Sequence, residues 1–258
     1  MMAAFLRRPA PLCALISFAL ILAIWQAAVD LGYVKAFFVS SPSRVAFELM
    51  RQVRNGELVT NLSVTLYEFI IGLILAVLIG GILGLLASWS ETVQHILDPF
   101  IWFKYSSPTI AFYPMFVAWL GLGEATIIVM AFLFAVTPIY ANTLSGIKNT
   151  DPDLIRAAIS FGARRHDLFF KVSLPASAPI LIAGLRLAVG RALTGVVAAE
   201  LFGAAAGLGY SMSYYGQKLR TTEMMASLIV IIILGVIFTQ GLAAIEARMG
   251  AWRIGPGR

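Results

Sequence analysis

One cysteine, two histidines and few charges are all that this 258-residue sequence offers to chemistry. The lone thiol, Cys13, excludes an internal disulfide and a thiolate metal cluster, and is read as lipid-facing packing. His95 and His166 are far apart and no His-Glu-x-x-His pattern occurs, so no helix carries a metal-ligating pair; both are read as interfacial residues. The sequence also lacks a Gly-x-x-x-x-Gly-Lys-Ser/Thr phosphate loop and a Gly-x-Ser-x-Gly nucleophile elbow, which excludes the usual routes to nucleotide and ester hydrolysis. No catalytic residue and no metal ligand is therefore assigned. Charged residues make up only 12%, where soluble domains carry roughly 25%.

What is there is hydrophobic. Apolar residues reach 60% and the mean hydropathy is +0.87, so the chain reads as an integral membrane protein. A net charge of +6 would point to nucleic acid in a soluble protein; here basic loops facing anionic lipid account for it, which makes membrane lipid a partner and nucleic acid not one.

The order of apolar runs predicts an all-α membrane protein with about six transmembrane helices. Arg7 and Arg8 precede a run over residues 12–31, nearly the ~20 residues a span needs, and a retained first span is favoured over a cleaved signal peptide. Residues 32–61 turn polar, and Val45, Leu49 and Val53 fall four apart, as in an amphipathic helix along the membrane or in a solvated loop helix. A second span covers 64–88, where Gly72, Ala76, Gly80 and Gly84 form a small-residue stripe for close helix approach; Glu68 is read as interfacial or as facing a partner. A third, 99–120, carries Lys104 and is expected to be broken by Pro108 and Pro114 and to line a cavity, because the freed backbone groups need partners. A fourth covers 125–147 around Pro138. The fifth, 176–206, has its own stripe of Gly184, Ala188, Ala192, Gly195, Ala199 and Gly203, read as a packing face and a possible dimer contact. A glycine-rich segment, 203–215, and an outer loop lead to a sixth span, 224–245.

One polar island interrupts this pattern. Residues 151–175 read DPDLIRAAISFGARRHDLFFKVSLP, with Arg156, Arg164, Arg165, Lys171 and nearby Lys148 supplying positive charge. Asp151 can cap a helix beginning at Pro152, and Gly162 can end it in the left-handed conformation. A second short helix is expected over 164–172. These residues resemble the cytoplasmic signature of bacterial ABC importer permeases, in which Glu-Ala-Ala is followed by three residues, Gly, nine residues, Ile, one residue and Leu-Pro. Ala157, Ala158, Gly162, Val172, Leu174 and Pro175 fall at those positions, while Arg156 stands where the family has Glu. The stretch SPTIAFYPMFVAWLGLG, residues 107–123, is similar to permeases for nitrate, sulfonate and taurine.

The resemblance, which covers residues 42–252, implies a single permease domain over 1–258, with a core bundle over 62–253, and a type I ABC importer permease-like fold. It implies that 151–175 is a coupling loop docking an ABC ATPase through Arg156, Ala157, Ala158, Phe161, Gly162, Ala163, Arg164, Val172, Leu174 and Pro175. It further implies ATP and Mg bound by that ATPase, no cofactor on this chain, an extracytoplasmic substrate-binding protein, and a second permease copy. Pro108, Pro114, Arg191 and Glu200 are expected along the translocation pathway; Arg186 is read as snorkelling to the interface. Arg186, Arg191 and Lys104 fit a small anion. Basic residues place both termini in the cytoplasm of a bacterial inner membrane: Arg7, Arg8, the loop cluster, Arg248, Arg253 and Arg258 inside, against Lys35, Arg44, Arg51, Arg54, Lys218 and Arg220 outside. The alternative function is an ion-gradient-driven transporter or channel.

Overall fold

A computed structural model describes residues 9–35 and 37–250, so Arg7, Arg8, Arg253, Arg258 and the last residues of the expected 62–253 bundle lie outside it. The described residues form helices and connecting turns, with no strand among them. Ten helices organise them: α1 Pro9–Asp30, α2 Pro42–Arg54, α3 Glu57–Trp89, α4 Glu91–Ser106, α5 Tyr113–Leu120, α6 Glu124–Lys148, α7 Pro152–Ser160, α8 Ala178–Gly203, α9 Leu208–Gln217 and α10 Thr221–Gly250. Five of these, α1, α3, α6, α8 and α10, are long and apolar enough to cross a membrane. The expected third span is not one helix. It ends as α4 at Ser106 and resumes after a short 3-10 turn, Thr109–Phe112, as α5. Only Pro108 marks the break; Pro114 lies in the first turn of α5, where its missing N–H costs nothing.

The bundle is built around α6. Its faces bury Met130, Ala131, Ala135 and Tyr140, each fully excluded from solvent. On one side the α3 stripe lies against it so closely that a Cβ on Gly84 would come within 2.6 Å of the Thr143 Cβ, and one on Gly72 would overlap Ala131. On the other side α8 approaches as tightly: a Cβ on Gly184 would lie 2.5 Å from the Asn142 Cβ, and one on Gly195 would meet the Phe134 ring at 3.0 Å. In lipid, helices gain little from hiding apolar surface, so such close backbone approach and the dispersion contacts it permits hold them together. The α8 stripe is thereby consumed inside the chain, with Ala188, Ala192 and Ala199 fully buried, and is not a surface for a second copy.

Polar contacts settle the remaining elements. Gln26 of α1 accepts from the Ser43 N–H and donates to the Ser43 hydroxyl, both at 3.1 Å, tying α1 to the start of α2. α2 turns Val45, Glu48 and Gln52 inward and leaves Phe47, Met50 and Val53 exposed, so Val53 is not on the face of Val45. Arg51 and Gln52 both donate to the buried Glu48, at 2.7–2.9 Å. Arg186, read as reaching for the interface, pairs with Glu246 of α10 at 3.0 Å. The glycine-rich segment, to which the sequence assigned no element, contains most of α9. Gly207, Gly209 and Gly216 give it poor local propensity, and its seating on α3 and α8 overrides that.

Gly84→Leu should lower the thermal stability of the detergent-solubilised protein by about 1–3 kcal/mol or prevent folding, because the side chain has no room beside Thr143. Gly81→Leu, on the same helix with nothing within 4 Å of its Cβ, should leave the melting temperature unchanged.

Candidate functional site

Two features are built on the α6 and α8 scaffold: a polar loop joining the end of one helix to the start of the other, and a cavity between them and α4. In the loop, the Asp151 carboxylate accepts the Asp153 N–H at 2.8 Å and caps α7, whose first residue is Pro152. The helix closes at Gly162, with φ +80°: the Ala163 N–H reaches back to the Ala158 carbonyl at 3.0 Å and the Gly162 N–H to Ile159 at 2.8 Å. This paired C-terminal cap needs a left-handed residue, which is why glycine stands there.

Beyond Gly162 the chain does not form the regular helix expected over 164–172. One α-turn, Arg165–Asp167, passes into a wide π-helical stretch, Leu168–Ser173, and then into Leu174–Ala176. The widened turn runs directly into Pro175, whose ring would crowd a regular preceding turn and whose nitrogen cannot donate. Asp167 holds the segment's start, accepting the Arg164 N–H at 3.3 Å and pairing with Lys171 at 2.6 Å. The Lys171 hydrogen bond, followed by the Arg164 N–H, keeps the Asp167 carboxyl below its usual range.

The loop is pinned to the rest of the protein through Trp89, the last residue of α3. Arg165 donates to the Trp89 carbonyl at 2.8 Å, and its guanidinium carbon lies 5.3 Å from the indole centroid. Phe169 packs edge-on against the same indole at 5.0 Å. This anchor had no sequence signal, because 76 residues separate Trp89 from Arg165. Of the ten candidate docking residues, Arg156, Ala157, Phe161, Gly162, Arg164 and Pro175 are exposed and Ala158, Ala163, Val172 and Leu174 half-buried. Phe161 stands out from the tip at 92% exposure, with Leu154 and Ile159 also exposed beside it. Arg156 pairs with Asp153 within α7 and is otherwise in solvent.

The cavity, about 410 Å³, is lined by α4, α6, α8 and the break at Pro108. Lys104 and Arg191 line it, with Thr109, Thr137 and Asn142 among its neutral polar groups, and no acidic side chain among the described residues does. Lys104 donates to the Leu133 carbonyl and, at 3.2 Å, to the Thr137 hydroxyl, in the turn of α6 that Pro138 disturbs. Asn142 donates to the Pro138 carbonyl at 2.8 Å. The carbonyl that Pro138 leaves without its helical N–H is that of Phe134, so these side-chain donors flank the disturbed turn from the cavity wall. Pro108 and Arg191 share this cavity. Pro114 is not among its lining residues, and Glu200 lies elsewhere, buried beside Thr65 and Gly209.

Residues 69–249 match the family described as the binding-protein-dependent transport system inner membrane component, over more than half of the chain. The chain belongs to this family. A putative aliphatic sulfonates transport permease of Bacillus subtilis (strain 168) is 32% identical over 235 residues, spanning 91% of this chain and 85% of that protein. The taurine transport system permease of Escherichia coli (strain K12) is 32% identical over 239 residues, spanning 91% and 87%. In the inward-facing MetNI methionine ABC transporter, a solved chain superposes with a TM-score of 0.68 at 20% identity, covering 77% of this chain and 98% of that one, which shows a shared fold. The protein is the permease component of an ABC importer, an all-α integral membrane protein whose family works with a separate ATPase and a binding protein. These relationships support ATP-coupled import and not the ion-gradient alternative.

Arg165→Ala should free the loop from Trp89 at a local cost of about 1–2 kcal/mol, seen as roughly tenfold faster amide hydrogen exchange over residues 151–175. The order lent by Asp167 is present above about pH 4 and lost as pH falls through its depressed value. Asp167→Asn should reproduce the acid state at neutral pH, as faster exchange confined to residues 164–171.

Proposed function

We propose that this permease carries a small organic anion of the sulfonate type through the cavity lined by Lys104 and Arg191. The observation that carries this reading is the charge of that wall: two cations and, among the described residues, no acid line one cavity beside a broken helix. In a low-dielectric interior, two uncompensated cations disfavour cationic cargo and supply charge-assisted donors to an anionic oxygen. Trp102, Tyr105 and Phe134 add apolar surface for a carbon skeleton. Relatives named for aliphatic sulfonates and taurine support the same chemistry.

In this reading residues 151–175 are the coupling loop. The exposed Phe161, Leu154 and Ile159 enter an apolar depression on the ATPase, which binds ATP and Mg; Arg156, where the family signature carries Glu, faces polar or acidic residues there. Two copies of the permease assemble with two ATPase subunits, and the binding protein delivers cargo at the opposite face. Both termini and the coupling loop lie in the cytoplasm. Nucleotide-driven closure of the ATPase moves the loops and opens the cavity outward.

Two variants separate the parts of this reading. Gly162→Trp should abolish co-purification of the ATPase while leaving the permease folded, since no side chain other than a strained one fits φ +80° there. Lys104→Gln with Arg191→Gln should retain the ATPase yet lower uptake of an alkanesulfonate into proteoliposomes containing ATPase and binding protein by tenfold or more. Unchanged uptake would remove the cavity from the pathway.

A further inference from the structure

At the end of α8 remote from the coupling loop, the Glu200 side chain is 1% exposed and makes no salt bridge among the described residues. Each of its two oxygens accepts one hydrogen bond from the protein and keeps a further lone pair. Oε1 takes the Thr65 hydroxyl at 2.6 Å and Oε2 takes the Gly209 N–H at 2.5 Å. Around it, the Leu208 N–H donates to the Thr65 oxygen at 2.8 Å and the Gly207 N–H to Asn61 Oδ1 at 3.0 Å. A Cβ on Gly207 would run into the Glu200 carboxyl, and one on Gly209 would come within 2.8 Å of it, so the turn is glycine-rich to fit this side chain. One carboxyl therefore joins α3, α8 and the start of α9.

A second carboxyl stands beside it. Glu68 lies one turn along the same face of α3 from Thr65, whose hydroxyl Glu200 accepts, and is 3% exposed, which sets its carboxyl beside that of Glu200. Its Oε2 is buried with no donor supplied by the protein. The other charged group bordering this site, Glu124 at the start of α6, is also acidic, and Tyr67 lies with it along a cleft of about 330 Å³ that reaches Glu68. No lysine or arginine among the described residues lines that cleft. Two carboxylates side by side in a dry bundle, with no cation, would repel one another with little screening. A hydrogen shared between the two carboxyls turns the contact into an attraction, and the two donors that Glu200 receives favour Glu68 as the group that bears it.

We propose that Glu68 and Glu200 hold one shared proton, and that this proton-bearing pair is a latch fixing the 204–209 turn and α9 to α3 and α8. Glu68 is the donor, Glu200 the acceptor, and the cleft beside Tyr67 is the side from which the proton arrives. The pair is a proton-binding site whatever the cargo, so its test does not depend on the anion reading.

The test is infrared spectroscopy of the full permease–ATPase complex in lipid at neutral pH. A carboxylic acid C=O band should appear, shift in deuterium oxide, shift again when the protein carries carbon-13 glutamate, and vanish in Glu68→Gln, whose amide can still donate to Glu200. In parallel, amide exchange at Leu208 and Gly209 should stay slow in Glu68→Gln and quicken at least tenfold in Glu200→Ala. The isotope measurement needs no substitution: a wild-type complex with no glutamic acid band overturns the proposal, as does a band that persists in folded Glu68→Gln.

Discussion

The whole bundle depends on how closely α6 is gripped by α3 and α8. Glycine and alanine at four-residue intervals on both flanking helices let their backbones approach the Thr143, Asn142 and Ala131 positions without a side chain between. In a membrane this contact must replace much of the hydrophobic driving force that a soluble core would supply. Lengthening one residue of either stripe would move an entire helix. The cavity depends on the same grip: with α6 and α8 fixed, the Pro138 turn and Arg191 face the same space, and α4 can bring Lys104 across to it.

The two ends of the scaffold are held by different chemistry. At the end that carries residues 151–175, aromatic and cationic groups around Trp89 secure a surface segment and leave Phe161 exposed. At the other end, buried carboxyls and backbone N–H groups secure a glycine-rich turn. The first arrangement sits in an aqueous setting, where each contact is modest and exchangeable. The second lies among buried helices, where a polar group without a partner is costly and the network must be complete.

Much of this was legible from periodicity. The stripes on α3 and α8, the cap at Asp151 and the stop at Gly162 follow from residue type and spacing, and the structure places them as expected. What was illegible were pairings across long sequence separation. Glu68 and Glu200 are 132 positions apart and look like unrelated isolated acids; Arg186 looked like a residue reaching for the interface until Glu246 came beside it. Helix α9 was hidden for a different reason, since its glycines argue against a helix and only the site they fit explains them. Pro114 misled because proline is disruptive inside a helix and harmless at its first turn, and the chain alone did not say which applied.

The connections of α6 and α8 to the loop between them have almost no slack. α6 ends at Lys148, Thr150 is buried with its hydroxyl bonded to the Ile147 carbonyl at 2.8 Å, and α7 starts at Pro152; on the far side, Leu174–Ala176 leads to Ala178 through Ser177 alone, whose N–H bonds back to Ser173 at 2.9 Å. A linker this short and this internally bonded has no soft torsion in which a push could dissipate. In the coupling role proposed for it, the loop would act as a crank on two shafts: a tilt imposed at Phe161 would reach the walls of the cavity as a rotation of α6 and α8.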